Sequence, residues 1–560
     1  MLIFLAAQIN LTAQAAKKEI SVTNSLTLQL EWYKVSGITQ RSRPFIWYLN
    51  GNPTIHYGSH ALPFSFLLSN YQTQFTQPFN YFGISPKLKW ATFHIGYRNL
   101  QFSPFTLNGQ RLLGAGVELN PGKWHLGFIY GRIQKAITLD TLYQSPIPGT
   151  YHPDSYFKRM GYAIKAGYGR PDTAFIGLSY FHASDVNDQT ILNLSQSIFP
   201  AENSVLGISA KLRLFKRLLW HTELAASGLT RNTLADTLSL GDEKLLKNIS
   251  SLFSIRESTQ GFLAGESSLT WQAPVFSLGL KYRRIDPGFT TFGAYYLQTD
   301  VVQYSVNPGL RLANLQLQGT VGWQEDNLKK LKSRSSERFI GSLFMDWQFS
   351  KWSGVSVAYS NFGFTQSPLT RNLVDTTLLE QVNQSIAIIP RFNIIKTNLV
   401  HAFQVSLNYN ELADLRREIF APVDLKSLQF NGSHNLSFSH QNLNAGWGIF
   451  YHHNDAGFYR FNSLGGQLQL GKSIPRINTS LQGQLVYFRN DFSTAETSST
   501  WQSFLQLSVP VVKNQIIHLG IQWLSNQPST QGSTLNPAFN EWRFRTGYTF
   551  QFSKQLFKRK

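Results

Sequence analysis

The chain has 560 residues, a formal net charge of +20, 42% hydrophobic residues and only 15% charged residues. Soluble proteins carry about a quarter of their residues as Asp, Glu, Lys and Arg, so this composition argues against a string of ordinary soluble domains. The absence of cysteine excludes a disulfide framework and any thiolate metal site.

An apolar segment opens the chain. Residues 2–7 are apolar, and Ala13-Gln14-Ala15 follows a short polar stretch. A short apolar run ending in an A-x-A sequence is typical of a secretory signal peptide. We therefore predict a signal peptide over 1–15, a mature chain starting at Ala16, and a single domain over 16–560; the alternative for the segment is a short buried strand. No later apolar run approaches the ~20 residues of a membrane-spanning helix.

Apolar and polar residues alternate along most of the remaining chain. The pattern is present at 20–32, 206–214, 313–323, 399–409 and 542–552. These stretches are long, and many begin or end in Trp or Tyr, as strands that cross a membrane do. Aromatic residues make up 14% of the chain, enough for two interfacial girdles. The sequence therefore predicts an all-β protein, a transmembrane antiparallel β-barrel of a Gram-negative outer membrane.

Short and long connections alternate between the predicted strands. Short ones such as Asn120-Pro121-Gly122-Lys123 predict periplasmic turns, and long ones such as 231–261 and 284–299 predict extracellular loops. The strand count from the pattern alone is odd, whereas a barrel with both termini in the periplasm needs an even number. We predict about 24 strands, within a range of about 22–26. The connections alternate regularly from residue 110, so the miscounted element lies before it.

Residues 73–87 interrupt the alternation. They include Pro78 and Pro86, which cannot donate hydrogen bonds to a sheet. The segment is either a missed strand or a stretch folded into the lumen, where irregular backbone is tolerated. We predict the lumen position; an extracellular loop packed on the rim is the alternative. Its aromatic residues would then form a constriction: Phe75, Phe79, Tyr81 and Phe82.

Two stretches resemble a known family. The first is Pro78-Phe79-Asn80-Tyr81-Phe82-Gly83-Ile84-Ser85-Pro86, followed by Lys89-Trp90, Gly96-Tyr97-Arg98 and Phe102-Ser103-Pro104. The second is Gly114-Ala115-Gly116-Val117-Glu118-Leu119-Asn120-Pro121-Gly122-Lys123, followed by Tyr130-Gly131-Arg132. Together they resemble a family of large outer-membrane β-barrel proteins of Gram-negative bacteria. The resemblance implies fold and location, and it brings no catalytic residues.

The chain departs from the TonB-dependent receptors with which that family is loosely grouped. Alternation from Ile20 leaves no room for a separate N-terminal plug domain in this sequence. The usual barrel also ends in an aromatic residue. Here Phe552 closes the predicted last strand, and residues 553–560 follow as a basic tail.

Basic residues dominate the face predicted to line the lumen. The carboxylates on that face are Glu31, Glu118, Glu223, Glu266 and Asp346. The more numerous cations are Arg98, Lys165, Lys211, Arg213, Lys281, Arg283, Arg543 and Arg545. Such an excess favours anions in transit. Alternatively, the charges pair across neighbouring strands and only solvate the wall. Basic loops are also suited to the anionic lipopolysaccharide leaflet, and no nucleic-acid recognition motif is present.

Two clusters are candidates for chemical sites. Tyr451-His452-His453-Asn454-Asp455 offers two imidazoles and a carboxylate, but it lacks a third ligand at a defined spacing, so we predict a solvated loop. His434-Asn435-Leu436-Ser437 has residues that a barrel phospholipase would use, yet such groups arise by chance in a Ser-rich chain. We predict no metal, no cofactor and no enzymatic activity.

The leading functional prediction is an outer-membrane channel or transport barrel for small solutes, with anions favoured. A barrel of this size encloses more space than wall side chains fill, so the lumen is open, plugged or occupied. The second hypothesis is a secretion or assembly barrel filled or capped by a periplasmic or surface protein partner. The third is a lipid-modifying enzyme at the rim. Outer-membrane lipid and lipopolysaccharide are the expected surroundings in each case.

Overall fold

The structure, a computed structural model, describes residues 20–57, 60–70, 80–137, 156–189, 191, 198–237, 255–294, 297–330, 332, 334–368, 380–414, 424–457, 459–493, 496–512, 514–529 and 536–557. These residues form 28 β-strands in one antiparallel sheet. A 3₁₀ turn, Pro475–Ile477, joins two of the strands. None of the described helices is long and apolar enough to cross a membrane.

The strands follow one another around the sheet almost entirely in chain order. Their bounds are β1 Ile20–Ser36, β2 Phe45–Gly51, β3 Thr54–Tyr57, β4 His60–Ser69, β5 Tyr81–Ile84, β6 Lys87–Leu88, β7 Ala91–Arg98, β8 Leu112–Leu119, β9 Trp124–Gln134, β10 Arg159–Arg170, β11 Ala174–Asp185, β12 Glu202–Leu214, β13 Leu218–Thr230, β14 Thr259–Gln272, β15 Phe276–Ile285, β16 Val301–Arg311, β17 Leu315–Asp326, β18 Arg334–Trp347, β19 Ser353–Pro368, β20 Glu380–Ile395, β21 Leu399–Asp414, β22 Leu425–Phe438, β23 Leu443–Asp455, β24 Arg460–Ile474, β25 Thr479–Phe492, β26 Thr497–Val512, β27 Gln515–Pro528 and β28 Phe539–Phe557.

The sheet closes on itself. β1 pairs with β28 along its whole length, so no edge strand is left at the seam. β2 and β3 lie end to end beside β1, and β5 and β6 lie end to end between β4 and β7. Each of these two pairs therefore acts as one interrupted wall strand, which leaves a barrel of 26 strands. The predicted all-β barrel is confirmed, at the upper end of the predicted range.

The missing wall strand lies within the first 110 residues, as parity requires, but the described part of 73–87 does not lie in the lumen as predicted. Tyr81–Ile84 pairs with β4 and β7, so this part of the segment belongs to the wall. Pro86 sits in the break between β5 and β6, where no ladder hydrogen bond is required of its nitrogen. Its carbonyl accepts a hydrogen bond from the Phe93 N–H at 2.9 Å, which keeps the ladder connected.

Of the four predicted constriction residues, two lie in this wall strand and two lie outside the described residues. Phe82 faces outward, 56% exposed, with its ring edge-on to Tyr97 at 5.9 Å. Tyr81 faces the opposite way, and the Arg111 guanidinium lies 4.4 Å from its ring centroid. Phe75 and Phe79 lie within 71–79, outside the described part of the chain.

The last strand runs further than the sequence predicted. Residues 553–557 do not start a free tail; they continue β28, with Ser553 opposite Thr23 and Lys554 opposite Val22. Because β1 begins at Ile20, its backbone groups need partners over this stretch, and the end of β28 supplies them. Ile20 therefore lies opposite Phe557, and the first and last described residues meet at the same rim of the barrel.

The two rims differ, as the alternating connections predicted. Periplasmic turns such as Leu214 to Leu218 are tight, with Phe215 and Lys216 in the left-handed region at φ 49° and 61°. Two successive left-handed residues match the twist of the flanking strands in a hairpin. The opposite, extracellular rim carries the long connections, several of which extend beyond the described residues.

The outer surface is apolar around the barrel. Leu468 is 61% exposed and Leu263 is 63% exposed, values typical of residues that face lipid rather than water. Aromatic rings pair across adjacent strands on this surface, at 5.0 Å for Trp124 and Tyr168 and 4.6 Å for Tyr487 and Trp501. The predicted lipid-facing alternation is therefore present, and the remaining buried apolar residues must lie inside the barrel.

Candidate functional site: a lumen divided by an internal plug

Two connections fold into the barrel instead of extending from its rim. They are residues 99–111, which join β7 to β8, and the described residues 286–294 and 297–300 of the connection from β15 to β16. We refer to these two connections together as the plug. Phe105, Leu107 and Phe289 of the plug are almost completely buried, and they form one apolar cluster with inward residues of the wall.

The first connection folds back on itself within the lumen. The Phe102 N–H donates to the Leu107 carbonyl at 2.9 Å, and the Thr106 N–H donates to the Ser103 carbonyl at 3.2 Å. Pro104 lies inside this turn, where the fixed φ of proline is favourable. The turn presents Phe102 and Phe105 to the wall and satisfies its own backbone groups, as buried backbone must.

The second connection packs directly on the first. The Asn108 N–H donates to the Gly293 carbonyl at 2.8 Å, and the Thr291 hydroxyl donates to the Thr106 carbonyl at 2.7 Å. A Cβ atom on Gly293 would lie 2.2 Å from the Thr106 oxygen, so only glycine permits this approach. The two connections therefore form a single hydrogen-bonded unit.

The wall behind the plug has small inward side chains that make room for it. A Cβ atom on Gly127 would lie 2.9 Å from the Phe102 ring, and one on Gly207 would lie 2.8 Å from the Thr106 methyl group. Buried inward residues of β10–β14 continue this recess: Ala163, Ala183, Val205, Ala225 and Ala264. Small wall residues and large plug residues thus interlock as the two sides of a protein core do.

Polar side chains of the wall anchor the plug. The buried Asn203 amide donates to the Thr290 carbonyl and the Ser227 hydroxyl, both at 3.0 Å, and its oxygen accepts from the Phe292 N–H at 3.0 Å. The Ser103 hydroxyl donates to the buried Glu223 carboxylate. Since each of these buried groups has a partner, withdrawing the plug would leave several of them unsatisfied.

Two cationic side chains, Arg159 and Lys332, contact the second connection near the extracellular rim. The Arg159 guanidinium donates two hydrogen bonds, of 2.7 and 2.9 Å, to the Asp185 carboxylate of the wall. The same guanidinium lies 3.5 Å from the ring centroid of Phe292 in the plug. At the end of the connection, the Asp300 carboxylate contacts the Lys332 ammonium and accepts from the Leu328 N–H at 2.9 Å. Burial alone would raise the pKa of Asp300, but these hydrogen bonds outweigh burial and hold the pKa below its ordinary value.

Four of the eight predicted lumen cations share two carboxylates. Lys281 and Arg283 lie 3.0 and 3.9 Å from Glu266, and Arg545 and Arg543 lie 2.7 and 3.5 Å from Glu31. The carboxylate Asp346 is likewise paired, with Arg391 at 2.6 Å. The contacts of Glu31 and Glu266 match the alternative in which the charges pair across neighbouring strands, whereas Arg391 of β20 reaches Asp346 of β18 across β19.

The other four cations lie on the plugged side of the barrel. Arg98 donates to the Ser65 hydroxyl at 2.8 Å, and the Lys165 ammonium lies 5.9 Å from the ring centroid of Phe102 in the plug. Arg213 donates to the Asp172 carbonyl at 2.9 Å, close to a periplasmic turn. Lys211 lies on the inner face between Phe175 and His221 of the adjacent strands. A role in anion passage stays a prediction for all eight.

The opposite side of the lumen wall has a different character. On the described inner faces of β22–β27, no Asp, Glu, Lys or Arg is present. These faces carry many amides instead: Gln429, Asn431, Asn435, Asn444, Asn454, Gln467, Gln469, Gln482, Gln484, Asn490, Gln502, Gln506, Gln522 and Asn526. We refer to this surface as the amide wall.

The two candidate chemical clusters are parts of strands. Residues 451–455 lie in β23, so His452 and His453 point to opposite faces of the sheet. His453 bonds the Asn462 oxygen at 2.6 Å, and Asp455 pairs with Arg460 at 3.0 Å. His434 and Ser437 likewise face opposite sides of β22. Among the described residues, no group of three His, Asp or Glu side chains is placed to hold a metal ion.

Sequence reasoning missed the plug. The criterion that selected 73–87, aromatic residues and proline in a stretch without alternation, applies equally to Phe102, Pro104 and Phe105. The second connection was predicted as an extracellular loop, although Phe289 and Phe292 are costly to leave in water. Asn203 gave no signal, because a buried anchoring amide and a solvated loop amide look alike in sequence.

No protein-family model and no curated protein matches the chain. Among solved structures, the chain is similar to the E. coli P pilus tip assembly intermediate PapC-PapD-PapK-PapG, with a TM-score of 0.42, 9% identity, and coverage of 98% of this chain and 62% of that chain. It thus spans less than two thirds of that chain's length. At this identity and TM-score the likeness carries no argument about function.

Two further solved structures show the same weak similarity. One is the P pilus usher (PapC) translocation pore, with a TM-score of 0.38, 10% identity, and coverage of 96% of this chain and 100% of that chain. The other is the FrpB iron transporter from Neisseria meningitidis, with a TM-score of 0.37, 9% identity, and coverage of 94% and 82%. Function must therefore be argued from the geometry.

The location follows from the barrel itself. A closed sheet satisfies every backbone group without an edge, and its outer surface presents apolar and aromatic side chains to the surroundings. This combination is stable in lipid and is the architecture of outer-membrane proteins. The chain is a transmembrane β-barrel of the outer membrane.

Proposed function

We propose that the protein is a transport channel in which the plug obstructs one side of the lumen and small polar solutes pass along the amide wall. The observation that carries this proposal is the asymmetry of the plug. Its described contacts run from Tyr81 of β5, which Arg111 meets, through β7–β16 to Lys332 in the connection between β17 and β18, about half of a 26-strand barrel. A barrel of this size has space beyond what such a plug fills.

Hollows on the unplugged inner wall support a route there. One, of about 490 Å³, is bordered by Asn435, Asn444, Gln469, Gln482 and Gln484. A second, of about 640 Å³, is bordered by Ser342, Ser360, Asn408 and Gln429. Polar side chains that line open space exchange readily between water and a passing solute, as the walls of channels require.

The preference for anions is the weaker part of the sequence prediction. Its basis was the excess of basic residues, yet Glu31 and Glu266 each pair with two of them. Paired charges contribute little field to a passing ion. We therefore propose passage of small polar solutes, with no net charge required.

The alternative is a secretion or assembly barrel whose open half holds a partner protein. The space beside the plug favours this alternative too, since it is bordered by polar side chains that suit either a solute or a polypeptide. Stoichiometric copurification of a partner, together with a wild-type barrel that does not conduct, would favour it over the channel.

Removal of the first plug connection tests the channel. Arg98 and Leu112 lie opposite each other at the ends of β7 and β8, so a Gly-Asn-Gly turn replacing residues 100–110 would close this hairpin without moving the wall. We expect a folded barrel with several-fold higher single-channel conductance in planar bilayers. Leu468→Ala, on the outer surface, is the control and should conduct as wild type. Unchanged conductance in the folded turn variant would contradict the proposal.

A further inference from the structure

We propose that the amide wall is a binding surface for an uncharged, polyhydroxylated solute of the carbohydrate class. This inference deepens the proposed transport function and rests on it for its physiological role. The binding surface itself is defined by the inner faces of β22–β27, where six adjacent strands contribute amide, hydroxyl and a few aromatic side chains.

The absence of charge on this surface selects against ionic solutes. Elsewhere in the lumen, carboxylates and cations occur on the inner faces and pair with one another, as Glu266 does with Lys281. The described amide wall offers no Lys or Arg to balance an anion and no carboxylate to balance a cation; its titratable side chains are His452 and His518. An ion bound there would lose hydration without gaining a partner, which is unfavourable.

Amides suit hydroxyl groups because both are donors and acceptors. Each Asn or Gln side chain offers two N–H donors and a carbonyl oxygen with two lone pairs. Gln469 donates to the Asn435 oxygen, and the Gln484 Nε2 donates to the Gln467 Oε1 at 3.2 Å. Each amide in these two pairs uses only part of its capacity, so donors and acceptors remain for a solute.

Glycine on β23 lets the amides lie flat against the wall. A Cβ atom on Gly446 would lie 2.4 Å from the Asn435 oxygen and 2.5 Å from the Gln469 nitrogen. A Cβ atom on Gly448 would lie 3.1 Å from the Gln467 nitrogen. The glycines are therefore the floor over which amides from β22 and β24 meet, and they leave the hollow above them free.

Aromatic rings on the same inner faces suit the apolar side of a sugar ring. Phe504 borders the 490 Å³ hollow beside Gln482 and Gln484. Phe450 of β23 and Phe488 of β25 meet edge-on over Gly465 of β24, with ring centroids 6.0 Å apart. Small-molecule sites of roughly 300–1,000 Å³ combine apolar or aromatic surface with a few placed polar groups, and the hollow fits that description.

Ligand-observed NMR on the purified full-length barrel tests the inference without requiring conduction. The protein is held in an uncharged detergent that contains no sugar. The probes are maltoheptaose, an oligogalacturonate of similar length, and a polyethylene glycol of similar size. We expect saturation transfer to maltoheptaose alone, because the oligogalacturonate is anionic and polyethylene glycol has no hydroxyl groups along its chain. Equal transfer to either of the other probes, or none to maltoheptaose, would overturn the inference.

A matched set of variants locates the site. The double variant Gln469→Leu/Gln484→Leu should weaken maltoheptaose binding by about tenfold or more, since two amides in the hollow are lost. Gln303→Leu removes an inward amide on β16, outside the amide wall, and should bind as wild type. If the double variant does not fold, Gln484→Asn keeps the amide but withdraws it, and a smaller loss of affinity is expected. Wild-type affinity in whichever variant folds would overturn the inference.

Conductance recorded on the same preparations separates the two proposals. A barrel that binds maltoheptaose through Gln469 and Gln484 but does not conduct would contradict the transport function and leave the binding surface standing. A barrel that conducts and shows no amide-dependent binding would contradict the carbohydrate site alone.

Discussion

The two sides of the barrel share one outer surface and differ on the inner one. On the plugged side, inward positions of β10–β14 are small and buried, as at Ala163, Ala183 and Val205. On the amide wall, the equivalent positions are Gln and Asn that border open space. Outward positions are apolar on both sides, as Ile176 and Leu468 illustrate.

This difference separates two constraints on a membrane barrel. Lipid fixes the outer face of every strand, so alternation is present throughout. The residue types on the inner face depend on what occupies the adjacent part of the lumen. Where the plug packs, the wall behaves as one half of a protein core, and where water or solute is adjacent it keeps polar side chains. Equivalent inner substitutions should therefore have unequal effects on the two sides.

Removing a plug anchor should produce the largest loss of stability. Phe105→Ala deletes a completely buried ring that packs edge-on to Phe289 at 6.2 Å, and we expect about 3–5 kcal/mol of destabilisation. Phe504→Ala truncates a half-buried ring on the amide wall. It should lower the free energy of unfolding by about 1 kcal/mol or less, because no closed cavity forms. Equilibrium unfolding of both variants in denaturant measures the difference. Equal losses would mean that the two inner faces are packed alike.

A charge on the lipid face should cost somewhat less and should not depend on the plug. Ile208→Arg places a cation on the outward side of β12 at the middle of the strand, and we expect a loss of about 2–4 kcal/mol near the bilayer midplane. Lys211→Gln, on the inner face of the same strand, should be tolerated. The same unfolding assay in lipid vesicles measures both, and similar tolerance at the two positions would show that the alternation of β12 has been assigned to the wrong faces.

The sequence predicted the wall well because period-two alternation is a local signal. The inward and outward assignment of Leu206, Gly207 and Ile208 follows directly from their neighbours in the chain, and the exposed fractions of Leu206 and Ile208 agree with it. Parity then placed the missing strand within the first 110 residues, where β5 and β6 lie. Local periodicity identifies the wall strands, and the even strand count of a closed barrel shows that one of them is missing from the pattern.

The plug was not predictable in the same way because its contacts are distant in sequence. Thr106 meets Thr291, and Ser103 meets Glu223, through hydrogen bonds that no local pattern encodes. Tyr81 and Phe82 show the converse: an aromatic, proline-containing stretch that lacks alternation is nevertheless a wall strand, because its break at Pro86 falls between two short ladders. Irregular sequence indicates irregular backbone without indicating which side of the wall it occupies.

Acidification should loosen the plugged side by the smallest amount. Asp300 joins the second plug connection to the β17–β18 connection through the Leu328 N–H and the Lys332 ammonium, and Lys332 also lies 3.9 Å from Asp326. The folded-state pKa of Asp300 is lowered, so its stabilising contribution is fully present above the ordinary carboxyl pKa. That contribution is lost as the pH falls through the lowered folded value. Amide hydrogen exchange in residues 297–300 should therefore accelerate as the pH falls through this window, after correction for the intrinsic pH dependence of exchange.

Two variants decide whether Asp300 is the titrating group. Asp300→Asn should show faster exchange in residues 297–300 already at neutral pH and little further change on acidification, because the amide neither titrates nor holds the ammonium of Lys332. Asp491→Asn removes a carboxylate from the unplugged side, where the pair with Arg489 at 3.0 Å is exposed and contributes little. It should leave the acid response of the plug unchanged. If Asp300→Asn retains the wild-type acid response, the plug is loosened by another group, and the contact between Asp300 and Lys332 is not what holds its rim.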